Sequence, residues 1–280
     1  MLKLLAIAAA FAVAGLTLVG IALWAWQERI VWQPPRPPFP AGDRVFRGDY
    51  RAADEQPLFA YVVAPGASGR GAAPEAAGRD VLLAFHGNAD LAVWLIPWGE
   101  EVARRTGALV VLAEYRAYGG LPGRPTYDGA RLDARAAYDY ALSLGADPAR
   151  LTVFGHSLGS AVAGELVRQV RPRALVLQSP FTSARDMARL IAPSPVLLGW
   201  RAIARVHFDT EGRVRELDVP VWVAHGDRDM IIPVRLGRRV YEAARVKGEL
   251  LVVPGAGHND VAEVGGERYW RWLEAALQRP

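Results

Sequence analysis

The chain reads as an α/β protein with a mostly parallel sheet, helices on both faces and a short helical cap, preceded by one N-terminal transmembrane helix. Three observations predict this. Short, wholly apolar runs such as Val81-Leu-Leu-Ala-Phe85 and Ala174-Leu-Val-Leu recur along the chain, and a strand apolar on both faces belongs inside a parallel sheet. Amphipathic stretches of helical length lie between these runs, as crossover connections require. Finally, Leu4 to Trp26 carries no charge, enough residues at about 1.5 Å each to cross a hydrocarbon core of about 30 Å.

The elements follow in order. Arg44 to Tyr50 and Leu58 to Ala64 alternate enough for an antiparallel strand pair, and Pro65 to Gly78, rich in Gly and Ala, is a loop. Strands are expected at Val81–Phe85, Ala108–Ala113, Leu151–Phe154, Ala174–Gln178, Val221–Ala224 and Glu249–Val253. Helices are expected at Ala92–Thr106, Tyr127–Leu144, Leu158–Val170, Pro233–Arg245 and Glu263–Leu277. Thr182 to Asp218 interrupts the alternation and reads as the cap. The domain plan is an anchor over 1–28, a Pro-rich linker over 29–42 and a catalytic domain over 43–280, with the cap at 182–218. Gln33 to Pro40 contains five prolines' worth of polyproline geometry in outline and reads as a stiff spacer lifting the domain off the bilayer. A cleavable signal peptide is the competing reading of the first segment. Against it, the apolar run exceeds the usual core of about 7–15 residues, and no small-x-small site stands at Leu23-Trp24-Ala25-Trp26. Trp24, Trp26 and Trp32 suit a membrane interface.

Composition narrows the function. The net charge of +4 is carried by arginine, Lys3 and Lys247 being the lysines, and no basic cluster with interleaved aromatics occurs, so a nucleic-acid partner is not expected. The absence of Cys excludes disulfides, thiol nucleophiles and Cys-ligated metals. With no H-x-x-x-H pattern or carboxylate cluster, a metal is not expected.

The chemistry centres on Gly155-His-Ser157-Leu-Gly159, directly after an apolar strand and at the start of a small-residue helix. A serine on such a turn is held clear of the sheet, and the glycines remove side chains that would clash there. Leu158 opens the helix, so its backbone N–H faces an oxyanion beside the hydroxyl. Two further strand ends carry His225-Gly-Asp227-Arg-Asp229 and Gly257-His258. His258 would take the proton of Ser157, and a carboxylate would orient the imidazole. Asp227 and Asp229 compete for that role. Asp227 follows the turn glycine and suits loop-shaping, so Asp229, further out, is the choice. After Phe85 stands His86-Gly-Asn88-Ala89, where the backbone N–H of Asn88, or failing it Ala89, completes the oxyanion site. His86, His156 and His225, each beside a turn glycine, are expected to tie loops together.

From Val81 to Leu277 the chain resembles the α/β-hydrolase-domain (ABHD) serine hydrolases, particularly their membrane-anchored branch. The motifs that carry the resemblance are His86-Gly-Asn-Ala, Tyr115-Arg-Ala-Tyr-Gly119, Gly155-His-Ser-Leu-Gly159, Ser179-Pro-Phe-Thr-Ser183, His225-Gly-Asp-Arg-Asp229 with Ile232-Pro, and Gly257-His258. The resemblance implies the α/β-hydrolase fold and a cofactor-free hydrolase of acyl esters or thioesters using Ser157, Asp229 and His258. It also implies lipids or acylated proteins as substrates, with the membrane as a partner through the N-terminal helix. The family often has Gly where Ala117 and Asp90 stand. Two other readings remain: a serine peptidase on the same fold, and a catalytically idle, membrane-bound interaction module.

Overall fold

The computed structural model describes residues 2–66, 73–191 and 204–278. Helix α1 (Leu2–Val31) runs three residues beyond the expected anchor boundary at 28. Strands β1 (Phe46–Arg51) and β2 (Pro57–Val63) form the antiparallel pair, in a register that sets Arg51 opposite Pro57. The alternation then proceeds through β3 (Val81–Phe85), α2 (Ile96–Thr106), β4 (Leu109–Ala113), α3 (Tyr127–Ser143), β5 (Leu151–His156), α4 (Leu158–Val167) and β6 (Ala174–Gln178). After the cap come β7 (Val221–Gly226), α7 (Val234–Ala243), β8 (Lys247–Val253) and α8 (Val261–Gln278). Within the cap the structure describes α5 (Ala184–Ile191) and α6 (Thr210–Glu216). Residues 192–203 of the expected cap lie outside the described residues.

All eight strands form one sheet in the order β1-β2-β4-β3-β5-β6-β7-β8. The pairs β1–β2 and β2–β4 are antiparallel, and every pair from β4 to β8 is parallel. Every residue of β3, β4 and β6 is buried, which is why those strands read as continuous apolar runs rather than alternating ones. Differences from the expected elements fall at their ends. Ala92–Leu95 is a 3-10 turn before α2 rather than its first turn. The helix after Ser157 stops at Val167, short of Val170. β8 begins at Lys247, because the exposed Lys247 and Glu249 alternate with partly buried neighbours and mask an edge strand. Gly266 breaks α8 with φ 50°, ψ −135°.

The parallel strands deliver their carboxyl ends to one side of the molecule, and the backbone there is strained. Ala89, Ala117, Ser157 and Ser179, which follow β3, β4, β5 and β6 respectively, all have positive φ despite carrying side chains. Each such residue costs on the order of 1–3 kcal/mol and survives only where the surroundings dictate it. One such support is visible beside Ala117. The Arg116 guanidinium, 8% exposed, is bonded to Asp133 of α3 at 2.7 and 2.9 Å and to Asp54 at 2.8 Å. The Arg116 N–H also donates to Asp133 at 3.0 Å. Asp133 is 2% exposed, so removing the guanidinium strands a buried carboxylate. Arg116→Met is expected to cost about 3–5 kcal/mol of stability, and adding Asp133→Leu to recover most of it. Guanidinium chloride denaturation of the two variants measures this.

Candidate active site

Ser157 sits between β5 and α4 at φ 52°, ψ −116°, a conformation that lifts its hydroxyl off the sheet. The glycines around it are dictated by backbone contact. A Cβ on Gly155 would stand 2.2 Å from the Gly159 carbonyl oxygen, and one on Gly159 would stand 2.2 Å from the Phe85 carbonyl oxygen. Only glycine lets the first turn of α4 press onto the ends of β5 and β3. The turn is then pinned: Ser157 N–H donates to Gln178 O at 2.9 Å, and the Ser157 carbonyl accepts the Ser160 hydroxyl at 2.6 Å. Leu158 is the first residue of α4, among the N–H donors with no partner inside the helix.

His258 and Asp229 complete a hydrogen-bonded series with this serine. His258 Nε2 lies 2.9 Å from Ser157 Oγ, and His258 Nδ1 lies 2.6 Å from Asp229 Oδ2. Asp229 and His258 are 6% and 9% exposed, so their pairing is largely shielded from water. The other Asp229 oxygen accepts the N–H groups of Ile231 at 2.9 Å and Ile232 at 2.7 Å. Burial alone would push the Asp229 carboxyl up, but hydrogen bonds from His225 and His258 outweigh it and hold it well below the usual carboxylate range. Asp227, the competing acid, instead accepts the Gly255 N–H at 2.7 Å and shapes the loop that carries His258. The two loops touch closely enough that a Cβ on Gly226 would lie 2.3 Å from the Gly257 carbonyl oxygen.

The remaining histidines are more specific than loop ties. His225 is fully buried, with Nε2 3.1 Å from Asp229 Oδ2 and 2.8 Å from the Ile232 carbonyl. Two acceptors around Nε2 require that nitrogen to carry the proton, so His225 braces the carboxylate that faces His258. The i,i+4 spacing of His225 and Asp229 across a tight turn was the sequence signal for it. His156 donates from Nε2 to the His258 carbonyl at 3.2 Å, its ring 5.2 Å from that of His258. Ser179 Oγ donates to the same carbonyl at 3.3 Å. His86 pairs with Glu114, Nε2 to Oε1 at 2.7 Å, both side chains buried. That pair supports the loop after β3, and the signal for it was an acid directly after a wholly apolar strand.

That loop lies against the nucleophile. A Cβ on Gly87 would stand 3.0 Å from His156 Nδ1 and 3.4 Å from Ser157 Cβ, so the backbone leading to Asn88 passes beside the serine. The Asn88 side chain is engaged with the end of α1, its Nδ2 donating to the Val31 carbonyl at 2.6 Å. Trp32, expected at a membrane interface, is 3% exposed and packs edge-on to Tyr115 and Phe208. Nothing in the sequence marked that contact.

The chain is similar to several known proteins. No family model matches the chain. An uncharacterized protein of Mycobacterium tuberculosis is 34% identical over 266 residues, spanning 89% of this chain and 87% of that protein. The α/β hydrolase domain-containing protein WAV2 of Arabidopsis thaliana is 27% identical over 92% of this chain and 89% of its own length. Lysophosphatidylserine lipase ABHD12 of Danio rerio is 33% identical over 59% of this chain and 47% of its own. The chain belongs to the α/β-hydrolase-domain family. Among solved structures, this α/β-hydrolase-domain protein is similar to the Pyrococcus furiosus esterase Pf2001, with a TM-score of 0.64 at 18% identity, covering 89% of this chain and 98% of that one. Esterase RhEst1 from Rhodococcus aligns with a TM-score of 0.59 at 16% identity, over 82% and 98% of the two chains. The chain shares the α/β-hydrolase fold of both esterases.

The histidine pair has a consequence for acid stability. Burial, reinforced by the neighbouring His258, pushes His156 from 6.5 down to about 4. Between those values the unfolded chain binds a proton there that the folded chain does not, so stability falls as pH drops from 6.5 toward 4. His156→Gln is expected to flatten the decline of melting temperature across that window, measured by a series of thermal melts in matched buffers.

Proposed function

We propose that this protein is a membrane-anchored serine hydrolase that cleaves acyl esters or thioesters through Ser157, His258 and Asp229. The observation that carries the reading is the unbroken series from the buried Asp229 through His258 to Ser157 Oγ, at 2.6 and 2.9 Å. His258 Nε2 takes the hydroxyl proton as Oγ attacks the acyl carbon. Asp229 keeps the proton on Nδ1, so Nε2 is free to accept, and steadies the imidazolium that forms. Charge that develops on the carbonyl oxygen is met by the backbone N–H groups of Leu158 and Asn88. The tetrahedral species collapses as His258 returns its proton to the leaving alcohol or thiol, and the acyl group stays on Ser157. Water, deprotonated by His258, then repeats the attack and releases the carboxylic acid and the free serine.

The substrate class we propose is a lipid ester with a single acyl chain, such as a lysophospholipid. The similarity to lysophosphatidylserine lipases supports it, and so does the apolar helix. Lys3–Ala22 is long and apolar enough to cross a membrane, and none of it is buried against the domain. We read it as a retained anchor rather than a cleaved leader. Glu28, 5% exposed, is held by Arg124 and Arg205 of the domain, and Trp32 is part of the core. The segment that follows the apolar run is thus built into the folded domain.

The test is full-length protein in detergent treated with a fluorophosphonate probe, alongside turnover of monoacyl lipids and p-nitrophenyl esters. Wild type is expected to label, Ser157→Ala and His258→Ala not to. Asp229→Asn should lower kcat by about ten-thousand-fold by releasing the imidazole tautomer, whereas Asp227→Asn should change it only a few-fold, as a loop substitution away from the proton path does. Folded wild type that neither labels nor turns over an ester would leave an idle interaction module as the better account.

A further inference from the structure

The expected linker begins inside the domain. α1 continues to Val31, the Trp32 N–H extends its hydrogen bonding to the Glu28 carbonyl at 2.8 Å, and the Trp32 ring is buried. From there the chain grips one side chain of the site. The Gln33 N–H donates to Asn88 Oδ1 at 2.9 Å and to the Tyr118 hydroxyl oxygen at 3.1 Å. The Tyr118 hydroxyl donates to the same Asn88 Oδ1 at 2.8 Å, while Asn88 Nδ2 donates to the Val31 carbonyl. These bonds fix the amide orientation, since Oδ1 faces two donors and Nδ2 faces a carbonyl. They also satisfy one of the carbonyls left open at the end of α1.

Asn88 stands between Gly87, which packs on Ser157, and Ala89, whose φ is 53°. A left-handed, non-glycine residue holds only where its neighbours are fixed. For Asn88 the fixing groups come from Tyr118, which is fully buried, and from the last turn of the apolar helix. We infer that the end of α1 is a positioning element of the hydrolase: by clamping the Asn88 side chain through Val31, Gln33 and Tyr118 it sets the Asn88 backbone N–H toward the oxyanion. The inference rests on the reading of that N–H as an oxyanion donor. The domain is therefore fully active only with its membrane-proximal helix end in place, and the residues that couple the two are Trp32, Asn88 and Tyr118.

A clamp that serves only stability would move the melting temperature and leave catalysis alone. A positioning clamp lowers kcat at constant KM, because the oxyanion exists in the transition state and not in bound substrate. Full-length Asn88→Ala, Trp32→Ala, Trp32→Phe and Tyr118→Phe, kept in detergent, would be compared with wild type. The readouts are kcat and KM on a short p-nitrophenyl ester, affinity for a phenylboronic acid that Ser157 captures as a tetrahedral adduct, and thermal melting. Loss of a whole oxyanion donor costs about a hundredfold to a thousandfold in kcat, so Asn88→Ala and Trp32→Ala are expected to lose about tenfold to a hundredfold. KM should stay within about twofold, with boronate affinity falling in step with kcat. Tyr118→Phe should show the same pattern more weakly. Trp32→Phe keeps an aromatic ring against Tyr115 and Phe208 but loses ring volume along with the unpartnered indole N–H, so its kcat should fall between those of Trp32→Ala and wild type. Asn88→Ala and Trp32→Ala that melt as folded proteins yet keep wild-type kcat and boronate affinity would overturn the inference. Wild type that resists the fluorophosphonate would instead sink the assignment of Ser157, a different failure with a different readout.

Discussion

How closely the first turn of α4 can approach the ends of β5 and β3 governs the rest of the site. With Gly155 and Gly159 in contact with backbone atoms, no side chain fits between helix and sheet, and the chain must turn at Ser157 through a conformation that L-residues avoid. The cost is met by the packed apolar strands beneath, each held on both sides by parallel neighbours. In return the hydroxyl stands at a fixed point above the sheet. Loops from β3, β7 and β8 are held around that point because the strands carrying them belong to the same sheet.

The electrostatic arrangement follows from that fixed point. Asp229 is buried beside two imidazoles, and its second oxygen is occupied by backbone N–H groups. A buried carboxylate with fewer donors would take up a proton and lose its hold on His258. His225 serves the carboxylate, while His156 and Ser179 both donate to the His258 carbonyl and seat that residue's backbone. His156 remains neutral near neutral pH, so it adds no second positive charge next to the imidazolium that the proposed mechanism forms on His258.

Much of this was legible in the residues. The apolar runs marked the parallel strands sharply where both faces are buried, and less so at β8, whose exposed Lys247 and Glu249 hid its start. The turns after β5, β7 and β8 carry Ser157, Asp229 and His258, which the fold brings into one hydrogen-bonded series. Interactions that depend on two distant segments meeting were not legible. Trp32 looks the same whether it faces lipid headgroups or the rings of Tyr115 and Phe208, and Gln33 carries no mark of the Asn88 amide 55 positions away. The positive φ of Ala117 was concealed for a related reason. Where glycine is the low-cost residue, alanine gives no local sign that the backbone turns left-handed, yet the Arg116–Asp133 pair holds it there.

Among the described residues the sheet of eight strands ends at two edges, β1 on one side and β8 on the other. Along β1 the exposed positions are Arg47, Asp49 and Arg51, and Arg47 folds back over the Phe59 ring at 3.8 Å. Along β8 the exposed residues are Lys247 and Glu249, beside a register irregularity against β7. A second strand adding to either edge would have to desolvate these charges and follow a distorted ladder. Copies of this chain crowded side by side therefore meet at charged, irregular edges that resist strand addition.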